Sequence, residues 1–356
     1  MLKDSTIIDI DSALELRDKG AVLIDVRSPS EFADSTIPGA INLPLFDDAQ
    51  RAEIGVIHKE QSAQAARLRG MQIASPRLPE LIEQANGLFQ QTRQRLVVFC
   101  WRGGSRSQAM TAFLQLCGLP AFQLRGGHKA FRQKVLDFFQ LGQWGRLLVL
   151  RGLTGAGKTR ILQQLQHQQL KVIDLEGLAN HRGSAFGAIG LDLQPSQKQF
   201  EALLWDELRH IGPDQWALTE GESRHIGRLI LPLRVYQALQ LETTLWLETS
   251  LENRIRIIAE DYDISNQPPD AFVPPINALK QRLGHTRVNE LLQMLHHRDW
   301  HELIRALMED YYDPLYAHTK PDNRIEISID PFASEQPQLR AAIDRVLTAT
   351  DNTTTG

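Results

Sequence analysis

The chain has 356 residues, enough for two or three domains at roughly 100–200 residues each. With 42% hydrophobic and 23% charged residues it has the composition of an ordinary globular protein, and two cysteines exclude both a disulfide scaffold and a four-cysteine zinc site. A net charge of −4 excludes a generally basic, nucleic-acid-coating protein while leaving room for a local basic groove. Only 10 of the 39 basic side chains are Lys, a bias that suits bidentate recognition of phosphate and follows equally from an Arg-rich genome. No run approaches the ~18 apolar residues of a membrane span, and too few residues precede Asp4 for a signal peptide. The expected setting is therefore the cytoplasm, with no membrane partner.

Residues 1–137 read as alternating strands and helices. Val22-Leu23-Ile24-Asp25-Val26 and Leu96-Val97-Val98-Phe99 are short apolar runs suited to buried parallel strands. Ser107 to Leu116 has helical apolar spacing, closed by Cys117-Gly118. Between strand and helix lies Cys100-Trp101-Arg102-Gly103-Gly104-Ser105-Arg106. A loop ending at a helix N-terminus aims several backbone N–H groups at one spot, so Arg102, Gly103, Gly104, Ser105 and Arg106 form an anion cradle. A cysteine facing such a cradle, here Cys100, is in the setting of a reactive nucleophile; the alternative is a buried strand-end residue. Cys117, with no charge near it in sequence, reads as a core residue.

The pattern lapses over 138–146, which reads as a linker, and a second α/β unit begins at Leu147-Leu148-Val149-Leu150. Gly152-Leu153-Thr154-Gly155-Ala156-Gly157-Lys158-Thr159 follows that strand and precedes a helical pattern, the context a phosphate loop requires. Its backbone, with Gly152, Gly155 and Gly157, would cradle a diphosphate-sized anion; Lys158 would neutralise it and Thr159 could meet Mg²⁺. Further β-like runs are Leu170 to Leu175, Trp216 to Thr219 and Thr244 to Leu247. After the second of these, Glu220 and Glu222 should share a strand face and could act as acid, base or metal ligand, with Arg224 as a phosphate contact; the alternative is a solvated strand end. Leu245 to Glu248, followed by Glu252-Asn253-Arg254, reads as a structural strand and helix. From about Pro275 onward the pattern is mostly helical, and the polar tail 350–356 reads as disordered. The expected layout is an α/β domain at 1–137 and, at 147–349, a P-loop NTPase-like α/β domain with a helical C-terminal part.

Several segments resemble known families. Leu23 to Arg27, Glu31-Phe32, Ile37 to Pro44, the Cys100 loop and Leu124-Arg125-Gly126-Gly127-His128 resemble a rhodanese domain, with Ser35-Thr36 where many members have Gly-His. The Cys-x5-Arg spacing also resembles the loop of cysteine-dependent phosphatases, which keeps that chemistry as an alternative. Asp174-Leu175-Glu176-Gly177-Leu178-Ala179-Asn180-His181-Arg182-Gly183-Ser184 places His181, Arg182 and Ser184 on a Gly-rich loop. With Gln197, Phe200-Glu201, Glu222-Ser223-Arg224, Tyr311-Tyr312-Asp313-Pro314 and the order of the two domains, it closely resembles the tRNA 2-selenouridine synthases. Gly221 departs from the acidic residue expected between the two glutamates.

That resemblance implies replacement of the sulfur of wobble 2-thiouridine in tRNA by selenium from selenophosphate, through an S-geranyl intermediate made from geranyl diphosphate. It implies those two co-substrates, no tightly bound cofactor and a possible Mg²⁺. It also implies that Cys100 handles selenium, as a perselenide or by positioning selenophosphate. An RNA partner needs basic and aromatic groups: Lys280, Arg282, Arg287 and Arg298 could meet phosphate, and Trp300, Tyr311 or Tyr312 could stack on a base. The bland reading is an exposed helical face with core aromatics. His296, His297 and His301 lack the spacing of a structural metal site. Two rivals remain: a P-loop kinase or NTPase with a regulatory rhodanese domain, and a persulfide-carrier or RNA-binding module.

Overall fold

A computed structural model describes residues 6–316 and 320–351. Two compact units form, Met1–Leu141 with Ser196–Trp205, and Gly142–Pro195 with Asp206–Gly356.

In the first unit five strands, β1 (Ile7–Ile8), β2 (Val22–Asp25), β3 (Ile41–Asn42), β4 (Leu96–Phe99) and β5 (Ala121–Leu124), form one parallel sheet in the order β1-β5-β4-β2-β3. Every residue of β2 and β4 is buried, which is why both read as unbroken apolar runs rather than alternating ones. The chain leaves β2 toward one sheet edge and β4 toward the other. The crevice outside their carboxyl ends is thus a topological switch point, and Cys100 sits there. The segment Ser196–Trp205, which the sequence reading leaves in the second domain, packs in this unit: Trp205 meets Phe131 edge-on at 5.2 Å and the Gln199 carboxamide accepts from the Thr36 amide at 2.8 Å.

In the second unit β6 (Arg146–Gly152), β7 (Val172–Ile173), β8 (Trp216–Glu220), β11 (Thr244–Glu248) and β12 (Arg324–Ser328) form a parallel sheet in the order β12-β11-β6-β8-β7. A hairpin of β9 (His225–Ile226) and β10 (Leu229–Ile230) stands apart from it. The phosphate loop follows β6, the central strand, and the acidic segment follows its neighbour β8, so both open on one crevice. Helices between 251 and 316 build a separate apolar cluster around Phe272, Leu291, Leu303 and Tyr312.

Four local expectations change. The helix Gly127–Leu141 continues into the stretch expected as linker, leaving 142–145 irregular before β6. The region after Pro275 is helical except for β12, whose Arg-Ile-Glu-Ile-Ser alternation suits an edge strand with one covered face. Of the expected tail, the helix Pro337–Asp351 takes in the first two residues and 352–356 lie outside the described residues. Cys117 is exposed, not buried. The helix Ser105–Leu116 ends there in a Schellman turn, with Gly118 donating to Gln115 and Leu119 to Leu114, so Leu119 tucks back into the core while Cys117 faces out.

Candidate functional site

Each unit carries one arrangement with chemical potential. In the first, β4 delivers Cys100 directly beneath the N-terminus of the helix Ser105–Leu116. The Gly104 amide donates to Cys100 Sγ at 3.3 Å, and Ser107 Oγ lies 3.3 Å from the same sulfur. Ser107 is buried and missing from the expected cradle; a hydroxyl one turn into the helix is the signal that could have found it. Gly127 (φ +55°) completes the loop's base, because a Cβ there would collide with the Cys100 carbonyl. The sulfur itself is almost fully covered while Trp101 and Arg102 beside it are exposed.

The cradle's two arginines part company. Arg106 does not offer a free charge to the sulfur, because its guanidinium donates to Glu31 at 2.6 Å. Burial would raise the Glu31 carboxyl, but Arg106, the Ser28 amide and Arg51 outweigh it and hold it low. Beneath the loop, Arg27 donates to Asp25 at 2.6 Å, both fully buried, and the Thr36 hydroxyl donates to the same carboxylate at 2.9 Å. Thr36, where the rhodanese pattern carries His, is thus absorbed into this network. His128 is neutral, pushed down to about 3 by burial and by Arg27.

In the second unit, the phosphate loop turns from β6 into the helix Lys158–His167. Around it lies a cavity of about 420 Å³ lined by Lys158, Thr159, Glu176, His181, Arg182 and Glu222 among others. The structure therefore brings together the loop, the Gly-rich 181–184 segment and Glu222. Arg224 is exposed and lies outside that lining. Glu176 was not singled out in the sequence, although an acid just past the short strand β7 is a recognisable signal. Its carboxylate accepts from Thr159 Oγ1 at 3.1 Å, and its backbone amide donates to Glu220 at 2.6 Å.

Burial raises Glu176, Glu220 and Glu222 together; Glu176 and Glu222 act on each other, and both act on Glu220. Glu222 is pushed up to about 8 by burial and by the facing Glu176, with Lys158 pulling the other way. Glu220 is held well above the usual carboxylate range, by burial and then by Asp174 and Glu176, and its second oxygen has no hydrogen-bond partner among the described residues. Gly183 (φ +60°) lets the loop close over the pair, because a Cβ there would lie 2.7 Å from a carboxylate oxygen of both Glu176 and Glu222. Ser184 Oγ meets the Tyr262 hydroxyl at 2.7 Å, and the Arg182 guanidinium stacks on the Tyr262 ring at 4.8 Å.

Arg254, expected to be merely structural, holds the loop in place. It is buried, donates to the Thr154 carbonyl at 2.8 Å and forks onto Asp313 at 3.0 and 2.5 Å. Sharing Thr154, Ile258 and Tyr262 with the polar cavity is an apolar recess walled by Phe186, Phe272, Trp300, Leu303, Leu307 and Met308.

The candidate RNA-contacting residues are less available than their sequence suggested. Tyr312 is buried in the helical cluster and Tyr311 packs on it at 4.9 Å; Trp300 packs on Phe272 at 5.0 Å. Arg287 is bound by Asp310 and Glu290. Arg282 stays exposed, with its guanidinium 5.8 Å from the Tyr311 ring, and Lys280 is half-buried. No helix of the described residues is long and apolar enough to cross a membrane.

Residues 9–134 match the rhodanese-like domain model, and residues 145–343 match the model described as the tRNA 2-selenouridine synthase AAA domain. Proteins named tRNA 2-selenouridine synthase are similar over nearly the whole chain. That of Pseudomonas syringae pv. syringae is 34% identical over 352 residues, covering 90% of this chain and 93% of the relative. That of Pseudomonas fluorescens is 34% identical over 340 residues, covering 86% and 91%, and that of Cupriavidus necator 34% over 343 residues, covering 86% and 90%.

Proposed function

The chain belongs to the tRNA 2-selenouridine synthase family, and on that premise we propose that it replaces the sulfur of wobble 2-thiouridine in tRNA with selenium, through S-geranylation. The observation that carries the geranyl step is the junction in the second unit. A phosphate loop bearing Lys158 opens on an apolar recess and shares Thr154, Ile258 and Tyr262 with it. A diphosphate head carrying an apolar tail matches the chemistry of that pairing of surfaces, and the recess, about 50 Å³, would widen to take the whole geranyl chain.

In this reading the uridine sulfur attacks C1 of the geranyl group. The C1–O bond breaks, its electron pair leaves on the diphosphate, and the uridine N3 proton is lost. Lys158 and the loop amides stabilise the charge that gathers on the leaving group. Thr159 and Glu176 offer the hard oxygen ligands that Mg²⁺ takes beside phosphates, and the ion when bound would add positive charge there.

Alkylation makes C2 electrophilic and turns the sulfur into a leaving thiol. The selenium of selenophosphate then forms the bond to C2, the C2–S bond breaks with its electrons leaving on sulfur, and water cleaves the Se–P bond to release phosphate. A perselenide on Cys100 would require selenium two electrons more oxidised than in selenophosphate, and the reaction supplies no oxidant. Cys100 with the amide cradle therefore serves to position the selenium anion.

The test is mass spectrometry of nucleosides from thiouridine tRNA incubated with purified protein, first with geranyl diphosphate and then with selenophosphate. Successive gain of a geranyl group and its replacement by selenium is expected. ATP turnover without tRNA and no mass change would refute the reading in favour of a kinase. Dependence on a second protein for any mass change would refute it in favour of a carrier module.

A further inference from the structure

The first unit contains a cavity that holding a small selenium anion leaves unused. It has a volume of about 680 Å³ and lies among the helices Asp48–Glu60, Ala63–Ala74 and Ser105–Leu116. That volume is in the range of sites for organic ligands and far beyond the needs of an oxyanion. Two of its helices belong to the long connection between β3 and β4.

Three features define the ligand. The walls are apolar and made roomy by small residues: Phe46, Ile54, Met71 and Phe113 stand beside Ala66, Ala109 and Ala112. The cavity is open to solvent at an apolar side chain, Met71, which is 49% exposed. The only charged or titratable side chains among the lining residues are Arg51, His58, Arg67 and Arg106, with no acid. Arg51 and Arg106 are paired with Glu31, at 3.5 and 2.6 Å, while Arg67 stays exposed at the rim; an apolar channel with an exposed arginine at its mouth fits a hydrocarbon chain carried on a phosphodiester.

Position identifies the rest. The lining includes Ser105 and Arg106, the first residues of the helix whose N-cap amide reaches Cys100 Sγ, and continues along that helix through Gln108, Ala109, Ala112 and Phe113. At 1.5 Å rise per residue the wall runs about 12 Å from the cysteine loop, room for a ten-carbon chain. We propose that this groove receives the prenyl chain of S-prenylated uridine in RNA, presenting C2 to the cysteine loop. The inference rests on the two-step reading above: the chain installed by the second unit is the handle by which the first unit selects alkylated uridine. When selenium bonds to C2, the prenyl thiol leaves with the C2–S electron pair and departs along the groove.

The test measures binding of full-length protein to anticodon stem-loops carrying S-geranyl- or S-methyl-2-thiouridine, by fluorescence anisotropy, and selenation of both with selenophosphate. The native chain should favour the S-geranyl stem-loop at least a hundredfold. Ala112→Trp, on an exposed helix face, and Met71→Glu should each cut that preference at least tenfold, raising KM for the S-geranyl substrate more than they lower kcat. A merely sticky surface would bind more tightly when Trp is added. No preference in the native chain, or equal losses for both stem-loops in the variants, overturns the proposal. Failure of the two-step reading looks different: geranyl diphosphate would give no S-geranyl product, while the preference for a synthetic S-geranyl stem-loop would persist.

Discussion

Replacing Lys158 by Ala tests whether the phosphate loop binds the geranyl donor's diphosphate. Lys158 is the one cation among the influences that shift both Glu176 and Glu222, and it opposes the rise of each. A unit charge about 4 Å from a diphosphate oxygen is worth about 4 kcal/mol at an effective dielectric of ~20, and less where the cavity is open to water. The loss has a partial offset. Without Lys158 the two carboxyls stay protonated over a wider pH range and repel the diphosphate less. The expected net loss is therefore about 2–3 kcal/mol, roughly 30- to 150-fold in affinity. Calorimetric titration with geranyl diphosphate at fixed pH measures this directly, and single-turnover geranyl transfer should fall at least as far. Lys158→Arg should recover part of the binding by restoring charge with different geometry. Unchanged geranyl diphosphate affinity in Lys158→Ala would refute the diphosphate assignment, whatever happened to selenation.

Two further outcomes follow from the separation of the sites. Cys100→Ala should reduce selenation of S-geranyl tRNA by about a hundredfold or more while geranyl transfer proceeds, because the sulfur sits on the amide cradle of the first unit; equal loss of both activities, measured on one tRNA preparation, would contradict it. Glu222→Gln should flatten the pH dependence of the ligand-free protein's stability. The native carboxyl is raised to about 8, so its stabilising protonation is complete below the unfolded value near 4.5 and is lost progressively as pH rises to about 8. That loss is on the order of a few kcal/mol; because Glu176 and Glu220 are raised as well, denaturant melts between pH 5 and 9 should show a fall in both chains, smaller in the variant by about this amount. A native stability that rises with pH across that window would reverse the sign and the argument.

What the sequence displays is whatever is local. Leu96–Phe99 and Leu147–Leu150 are legible because strands buried on both faces need consecutive apolar residues, and each loop that follows carries its glycines and cation within a few positions. Two-residue strands such as β1, β3 and β7 have too few residues to show a period. The missed partners are remote: Arg106 meets Glu31 75 positions away, Glu176 meets Glu220 44 away, and Arg254 reaches the phosphate loop 100 away. In each case the residue type was visible and its role was not, because charge pairing across a folded crevice leaves no spacing to read. Cys117 shows the converse error. Apolar flanks suggested burial, but the turn at Gly118 decided which residue folded inward, and it was Leu119.

In the proposed two-step reaction the two loops would face opposite electrostatic demands, which would give a reason for two units. A leaving diphosphate gathers charge as its bond breaks, so its site needs a full counter-charge within reach; Lys158 would supply one, and it already opposes the rise that burial imposes on Glu176 and Glu222. A selenium nucleophile must keep its electron pair available for C2, and a full positive charge in direct contact would hold that pair back. The first unit meets this by tying Arg106 to Glu31 and leaving the Gly104 amide to face the sulfur. Glu31→Gln frees the Arg106 guanidinium. It should bind selenophosphate more tightly yet slow selenation of S-geranyl tRNA, a split between affinity and turnover that equal changes in both would rule out.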